Sequence, residues 1–363
     1  MNAMTEIDWA YCEQALIDVS RTFSKPIELL PRPLKVALTC GYLLCRVVDT
    51  VEDHEQLDGE QRDALFTAFI AVLDGRESPE RFSAHFAAFP DDDPEIRLVQ
   101  SLPRVMNVFR GQDQPTRESS IAWLSEMANG MRVYCRRDRP GVLSTVSSLS
   151  DLERYCYFVA GTVGHLITDL FSTWLGGSGA ALEPELRARC ESFGIGLQLV
   201  NILKDVTDDF ARNRCYVPRR LCQAEGFALE DLLQAEHRQQ AHRALALVFE
   251  RASEHLVKAF EYVLLLPAQQ VQLRLFCLLP LWMALETLVM AIGNDALLIP
   301  DRPVKISRDA VKDLIEDCLR HANDDAALRR RFASSMAKFK ERFAKLAPPS
   351  RNKAAAREGY AQV

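Results

Sequence analysis

Apolar residues recur at spacings of three and four along most of the chain, and strand-like alternation bounded by hairpin turns is missing. This period keeps apolar side chains on one face of a helix. Short proline- and glycine-rich breaks separate the runs and are too short to be domain linkers, as in "FPDDDPE" (89–95) and "IPDRP" (299–303). The pattern predicts an all-α protein. Ser150 and Glu153 have the spacing of a capping box, which predicts a helix start just before Tyr155.

One apolar run, "LFCLLPLWMALETLVMAIG" (275–293), is almost long enough to cross a bilayer, for which about 20 apolar residues are needed. Pro280 and Glu286 interrupt it, and a carboxylate at mid-membrane costs about 2.5–3.5 kcal/mol. We therefore expect a buried helix of a folded protein. The first residues have no basic segment followed by an apolar one, so we expect neither a signal peptide nor a membrane anchor.

Charge and cysteine content narrow the class of protein further. The net charge of -6 provides no basic surface for nucleic acid. The ten cysteines form no CxxC pair and no zinc-like spacing with the histidines, which is typical of reduced, buried thiols in the cytoplasm.

Two acidic clusters each share one predicted helix face. The first is Asp49, Glu52 and Asp53 in "LCRVVDTVEDH" (44–54). The second is Asn201, Asp205 and Asp209 in "LQLVNILKDVTDDF" (197–210), with Gln198 three residues earlier. Clustered carboxylates repel one another unless a cation lies among them. One explanation is a solvated helix face, and the other is two packed helices that offer facing oxygen ligands to Mg²⁺.

Four blocks resemble the squalene/phytoene synthase family of head-to-head prenyl synthases. They are "SRTFS" (20–24), "YLLCRVVDTVED" (42–53), "YCYFVAGTVG" (155–164) and "LQLVNILKDVTDD" (197–209) with the following "NRCYVP" (213–218). Three segments are most similar to squalene synthases. They are the motif Asp-Thr-Val-Glu-Asp (49–53), "FCLLPLWMALETL" (276–288) and "PVKISRDAV" (303–311).

The resemblance implies a single-domain helical bundle of the isoprenoid-synthase type around a central apolar cavity. We expect the catalytic domain to span residues 1–345 and residues 346–363 to form a polar, disordered tail. The implied activity joins two farnesyl diphosphates through a cyclopropylcarbinyl diphosphate, presqualene diphosphate, with Mg²⁺, and then reduces the intermediate to squalene with NADPH. We expect a cytoplasmic enzyme, at most peripheral to a membrane that receives its product. No protein partner is evident from the sequence.

The resemblance also implies roles for individual residues. Those expected to bind Mg²⁺ are Asp49, Glu52, Asp53, Asn201, Asp205 and Asp209. Arg21 and Arg46 would hold diphosphate oxygens, Tyr42 would face the reacting carbons, and Tyr155 would handle the proton lost on ring closure. The remaining substrate contacts would come from Ser20, Phe23, Gln198, Lys204, Ala160, Gly161, Leu197, Phe276, Cys277 and Pro280.

The expected NADPH contacts are Lys305, Arg308 and Asn201. The chain departs from squalene synthases here, because Ser307 stands where a basic residue is common and Leu281 where the eukaryotic enzymes have glutamine. A dehydrosqualene or phytoene synthase, which needs no hydride, is therefore the nearest alternative. A non-catalytic binding protein of the same fold is a remote one, since it would have no use for four mutually repelling aspartates.

Overall fold

The described part of the chain is helical apart from one short pair of strands. The computed structural model describes residues 3–20, 22–139 and 141–346. The α-helices are α1 (Ala3–Val19), α2 (Ser24–Glu28), α3 (Arg32–Asp53), α4 (Gly59–Leu73), α5 (Pro79–Ala84), α6 (Pro94–Gln100), α7 (Leu102–Arg110), α8 (Gln114–Cys135), α9 (Leu149–Cys156), α10 (Thr162–Leu175), α11 (Gly177–Lys204), α12 (Val206–Ala211), α13 (Arg219–Ala224), α14 (Arg238–Leu265), α15 (Val271–Ala291), α16 (Arg308–His321) and α17 (Asp325–Leu346). The predicted all-α class is confirmed.

The remaining regular elements are short. A π-helical turn, Tyr157–Gly161, joins α9 to α10, and 3-10 turns occupy Leu229–Asp231, Ala235–His237 and Asp295–Leu298. Strands β1 (Ser144–Thr145) and β2 (Arg214–Cys215) pair in parallel. The periodicity of the sequence does not reveal this pair, because two residues are too few for a strand pattern.

The chain divides into two compact units. The first comprises residues 1–137 and 162–188, and α3 is its central helix, packed against α1, α4, α6, α7, α8 and α10. Of the 22 residues of α3, 14 are buried. Pro33 lies in the first turn of α3, where a helix needs no backbone N–H, so the break in "LLPRPL" serves as a helix start.

The second unit comprises the described residues between 138 and 161 and between 189 and 346, and α15 is its central helix, packed against α14, α16 and α17. The Arg274 side chain on α15 is 2% exposed. Its guanidinium donates hydrogen bonds to the Leu266 carbonyl at 2.7 and 2.9 Å, to the Ala322 carbonyl at 3.1 Å and to Asp325 Oδ1 at 2.6 Å. These bonds satisfy a buried charge. They join the turn between α14 and α15, and the turn between α16 and α17, to the central helix.

The apolar run predicted as a buried helix forms most of α15. Among the described residues, α15 is the one helix that is both long enough and apolar enough to cross a membrane. Of an apolar 18-residue stretch within it, 83% is buried inside the structure. The prediction of a buried helix is confirmed.

Two other predictions concern the cysteines and a helix start. All ten cysteines are buried thiols that form no disulfide, as expected. The capping prediction was wrong, because α9 begins at Leu149 and its N-cap is Ser148. Ser148 has extended backbone angles, and its hydroxyl accepts the Asp151 N–H at 3.2 Å, whereas Ser150 already lies in the first turn.

Two parts of the predicted chemistry and organisation lie outside the described residues. They are Arg21, one of the two predicted diphosphate ligands, and the tail from residue 347 onward. The division into a catalytic domain and a polar tail stays a prediction.

Candidate functional site

An accessible stripe runs along the C-terminal half of α3. Between Gly41 and Asp53, the residues that are not buried are Tyr42, Arg46, Asp49 and Asp53. Their spacings of four, three and four place them on one helix face. Glu52, which was predicted to share that face, is 7% exposed and lies off the stripe. Its predicted role as a metal ligand stays a prediction.

Arg46 is held between two carboxylates in the first unit. Its Nη1 donates to Asp49 Oδ2 at 2.9 Å, and its Nη2 donates to Glu95 Oε1, in the first turn of α6. Burial by itself would lower the pKa of Arg46, but the charges of Asp49 and Glu95 outweigh burial and raise it above its ordinary value. The guanidinium is therefore a permanent positive charge at the centre of the stripe.

The electrostatics of Asp49 suit a cation site. Burial raises its pKa to about 6, Arg46 opposes the rise, and the charges of Asp53 and Glu95 add to it. Within residues 6–20, 22–139 and 141–346, no group of three or more His, Cys, Asp or Glu side chains forms a ready-made metal centre. Mg²⁺ is usually bound by one or two carboxylates, with waters and substrate phosphates as its other ligands, so Asp49 and Asp53 fit as a partial donor set.

Tyr42 lies one turn before Arg46, beside the first sequence block. Its ring centroid is 5.9 Å from that of Phe23. Burial raises the pKa of Tyr42 and outweighs the lowering effects of the Ser20 hydroxyl and of Arg46, so the phenol is neutral at physiological pH. Ser20 Oγ also accepts the backbone N–H groups of Phe23 and Ser24 at 3.0 and 3.1 Å. The structure thus brings together Ser20, Phe23 and Tyr42.

The second predicted cluster lies in the second unit and spans a break between two helices. Helix α11 ends at Lys204, and Asp205 has non-helical backbone angles at the N-cap of α12. Backbone bonds from Asp205 N to Asn201 O (3.0 Å) and from Asp209 N to Asp205 O (2.8 Å) preserve the four-residue relation across the break. The predicted shared face of Asn201, Asp205 and Asp209 therefore does not need an unbroken helix.

Side chains at this break differ in exposure. Asn201 is exposed, while Gln198, Lys204, Asp205 and Asp209 are half-buried. Lys204 Nζ donates a hydrogen bond to Asp205 Oδ2. The ammonium group of Lys204 thus neutralises Asp205 in the second cluster, as the guanidinium of Arg46 neutralises Asp49 in the first. The expectation that the two clusters face each other stays a prediction.

Tyr155 has a close partner that sequence reasoning missed. The hydroxyls of Tyr155 and Tyr216 share a 3.0 Å hydrogen bond, and their rings stack with centroids 4.5 Å apart. Tyr216 directly follows β2, which pairs with β1, and β1 lies just before α9 in the chain. Tyr155 is 4% exposed, so its hydroxyl is held in a defined orientation. The presence of Tyr216 in the "NRCYVP" block was the available signal.

Ala160 and Gly161 lie in the π-helical turn and pack closely against α11. A Cβ on Gly194 would lie 2.0 Å from the Ala160 carbonyl oxygen, and one on Gly161 would lie 3.0 Å from Tyr157 Cδ2. This contact corresponds to close helix packing. The predicted contact of Ala160 and Gly161 with substrate stays a prediction.

Other predicted residues differ in their surroundings. Phe276, Cys277 and Pro280 are buried in α15, and Leu197 on α11 is half-buried. Lys305 and Arg308 are exposed, before and at the start of α16. The Ser307 hydroxyl caps that helix by accepting the Ala310 N–H at 3.1 Å, which gives the departure from the family pattern a structural explanation.

Residues 16–310 match the profile of the family described as Squalene/phytoene synthase. The chain is 27% identical over 286 residues to the squalene synthase of Schizosaccharomyces pombe, a match that covers 78% of this chain and 59% of the relative. The chain thus spans about three fifths of the length of that curated relative.

Two solved structures have a similar fold. The complex of TcSQS with the ligand BPH1237 matches with a TM-score of 0.75 at 22% identity, over 94% of this chain and 96% of that one. A dehydrosqualene synthase in complex with a ligand matches with a TM-score of 0.59 at 21% identity, over 87% and 97%. Because the family profile covers most of the sequence, the chain belongs to the squalene/phytoene synthase family.

Proposed function

We propose that this protein is a squalene synthase that condenses two farnesyl diphosphates to presqualene diphosphate and reduces this intermediate to squalene with NADPH. The observation that carries the proposal is the stripe on α3, where a neutral phenol, a guanidinium and two carboxylates follow one another on a single accessible face. The squalene synthase relative supports the choice within the family.

In this proposal the stripe binds the leaving group. Arg46 would donate N–H bonds to diphosphate oxygens, a task that suits the planar guanidinium. Asp49 and Asp53, and in the second unit Asp205 and Asp209, would hold Mg²⁺ through their carboxylates. When bound, the metal would offset the charge on the departing diphosphate. The phenol of Tyr42 would lie against the reacting carbons without adding a charge.

The remaining roles concern the carbocation and the cofactor. The hydroxyl of Tyr155, aligned by Tyr216, would accept the proton lost on ring closure. Apolar residues of α15 would exclude water from the cation. Lys305 and Arg308 are exposed cationic side chains that fit the phosphates of NADPH, and Asn201 would contribute a polar contact. We place the reaction in the cytoplasm, with transient membrane contact for release of so apolar a product.

The second candidate is a dehydrosqualene synthase, which makes the same bonds without hydride transfer. Ser307 favours it, because this residue caps α16 where squalene synthases commonly have a cation. The fold shared with a dehydrosqualene synthase is compatible with either product.

Product analysis tests the proposal. Purified protein is incubated with Mg²⁺ and either farnesyl diphosphate or geranylgeranyl diphosphate, with and without NADPH, and the hydrocarbons are identified by mass spectrometry. We expect squalene with NADPH. Dehydrosqualene in the presence of NADPH, with no squalene, would establish the second candidate. Coupling of geranylgeranyl diphosphate alone would establish a phytoene synthase and disprove the C30 assignment.

The two tyrosines provide a second test. We expect Tyr155→Phe to lower kcat by about 10²- to 10³-fold, because general acid–base catalysis contributes factors of this size. Tyr216→Phe keeps the ring stack but removes the hydroxyl that orients Tyr155, so we expect a smaller loss, about 10-fold. Diphosphate release is measured for both variants. Tyr11→Phe, whose hydroxyl donates a 3.4 Å bond to the Arg97 carbonyl, is the control. Unchanged turnover in Tyr155→Phe would remove this residue from the chemistry.

A further inference from the structure

Glu95 is hydrogen-bonded to the guanidinium of Arg46, the group that would bind diphosphate. Nη2 of Arg46 donates to Glu95, Nη1 donates to Asp49 at 2.9 Å, and Nε is buried without a hydrogen-bond partner among the described residues. Each terminal nitrogen of the guanidinium therefore already has one of its two N–H groups bonded to a carboxylate. An incoming diphosphate has to share the guanidinium with carboxylates of the protein itself.

The other charges around Arg46 also oppose the binding of diphosphate. One positive charge stands among three carboxylates, because Asp53 and Glu95 both act electrostatically on Asp49 beside Arg46. A diphosphate is itself a polyanion, so these carboxylates repel it. A divalent cation bound to Asp49 and Asp53 would neutralise those two carboxylates and leave Glu95 in place.

We propose that Glu95 is a positioning residue that occupies Arg46 and makes diphosphate binding conditional on a divalent cation. The inference rests on the proposed function, since it takes Arg46 as a diphosphate ligand. Glu95 lies in the first turn of α6, 49 residues from Arg46 in sequence, and its side chain is 35% exposed. A partly exposed ion pair of this kind contributes little to stability, so the effect of Glu95 on ligand binding can be measured separately from folding.

The test measures binding of inorganic diphosphate by titration calorimetry, with EDTA and then with Mg²⁺. Glu95→Gln keeps the size of the side chain and a neutral acceptor for Nη2 but removes the competing charge. We expect this variant to bind diphosphate at least about tenfold more tightly than wild type in EDTA, as charge-assisted bonds are roughly twice as strong as neutral ones. With Mg²⁺, we expect affinities within about threefold of each other, because the cation then supplies the dominant attraction.

Asp92→Asn is the matched control. Asp92 is an exposed carboxylate three residues from Glu95, and its substitution changes the net charge equally without touching Arg46. We expect it to bind like wild type in EDTA. If Glu95→Gln fails to fold, Glu95→Ser removes the same contact and serves in its place.

The outcomes separate this inference from the function on which it rests. If wild type does not bind diphosphate even with Mg²⁺, Arg46 is not a diphosphate ligand and the proposed function fails. If wild type binds with Mg²⁺ but Glu95→Gln behaves like Asp92→Asn in EDTA, only the role of Glu95 is overturned. Equal tightening with and without Mg²⁺ would also overturn it, because the effect of Glu95 on diphosphate binding would then not depend on the cation.

Discussion

Replacement of Asp209 by Asn is expected to reduce turnover of farnesyl diphosphate by about 10²- to 10³-fold or more, the size of loss seen when an electrostatic stabiliser of a transition state is removed. Asn retains the volume of the side chain but not its charge. We therefore expect the variant to fold and to lose only its affinity for a divalent cation. The loss is large because ionisation of an allylic diphosphate in apolar surroundings depends on neutralising the leaving group.

The neighbouring Asp208 provides the control. It lies in the same first turn of α12 as Asp209 but is exposed, and one residue of rotation turns it to another face of the helix. We expect Asp208→Asn to keep wild-type turnover. Diphosphate release is followed at several Mg²⁺ concentrations for both variants, and for Asp53→Asn on α3. Wild-type rates in Asp209→Asn and Asp53→Asn would refute the metal assignment.

Replacement of Gly194 by Ala is expected to destabilise the protein by about 3 kcal/mol or more, at the upper end of the cost of overpacking. The added Cβ would lie 2.0 Å from the Ala160 carbonyl oxygen and 2.9 Å from the Gly161 nitrogen. Both are backbone atoms, so no side chain can rotate away and the two segments have to separate. Because Ala160 lies five residues after Tyr155, we expect the surviving folded fraction to have reduced activity as well.

Gly177→Ala is the control for this substitution. Gly177 begins α11, the helix that also contains Gly194, and nothing lies within 4 Å of a Cβ placed there. Alanine favours a helix over glycine by about 1 kcal/mol in the interior, so we expect unchanged or slightly increased stability. Thermal melting followed by circular dichroism compares the two variants. Equal melting temperatures would contradict the close packing of α11 against the π-helical turn.

Several features of the site follow from local sequence and were predictable from it. Spacings of three and four place Arg46, Asp49 and Asp53 on one helix face wherever that helix packs. The i and i+4 relation of Asn201, Asp205 and Asp209 survives even the break at Asp205, because the backbone bonds between them persist. The burial of α15 follows from the near absence of polar residues in it.

Other features depend on residues far apart in the chain, and periodicity cannot reveal them. The partner of Arg46 lies 49 residues away at the start of α6, and the partner of Tyr155 lies 61 residues away beside β2. Similarly, Glu52 seemed equivalent to Asp49 and Asp53, but the packing around α3 buries it while leaving the other two accessible.

The sequence by itself determined the helical class, the buried central helix of the second unit and the family to which the chain belongs. Each of these depends on side-chain periodicity or on contiguous motifs, which are properties of short segments. The tertiary structure decided which carboxylate occupies Arg46, which hydroxyl orients Tyr155 and how closely α11 approaches the π-helical turn. Those contacts arise only when separate helices pack, since they are set by the positions of atoms that the chain order does not bring together.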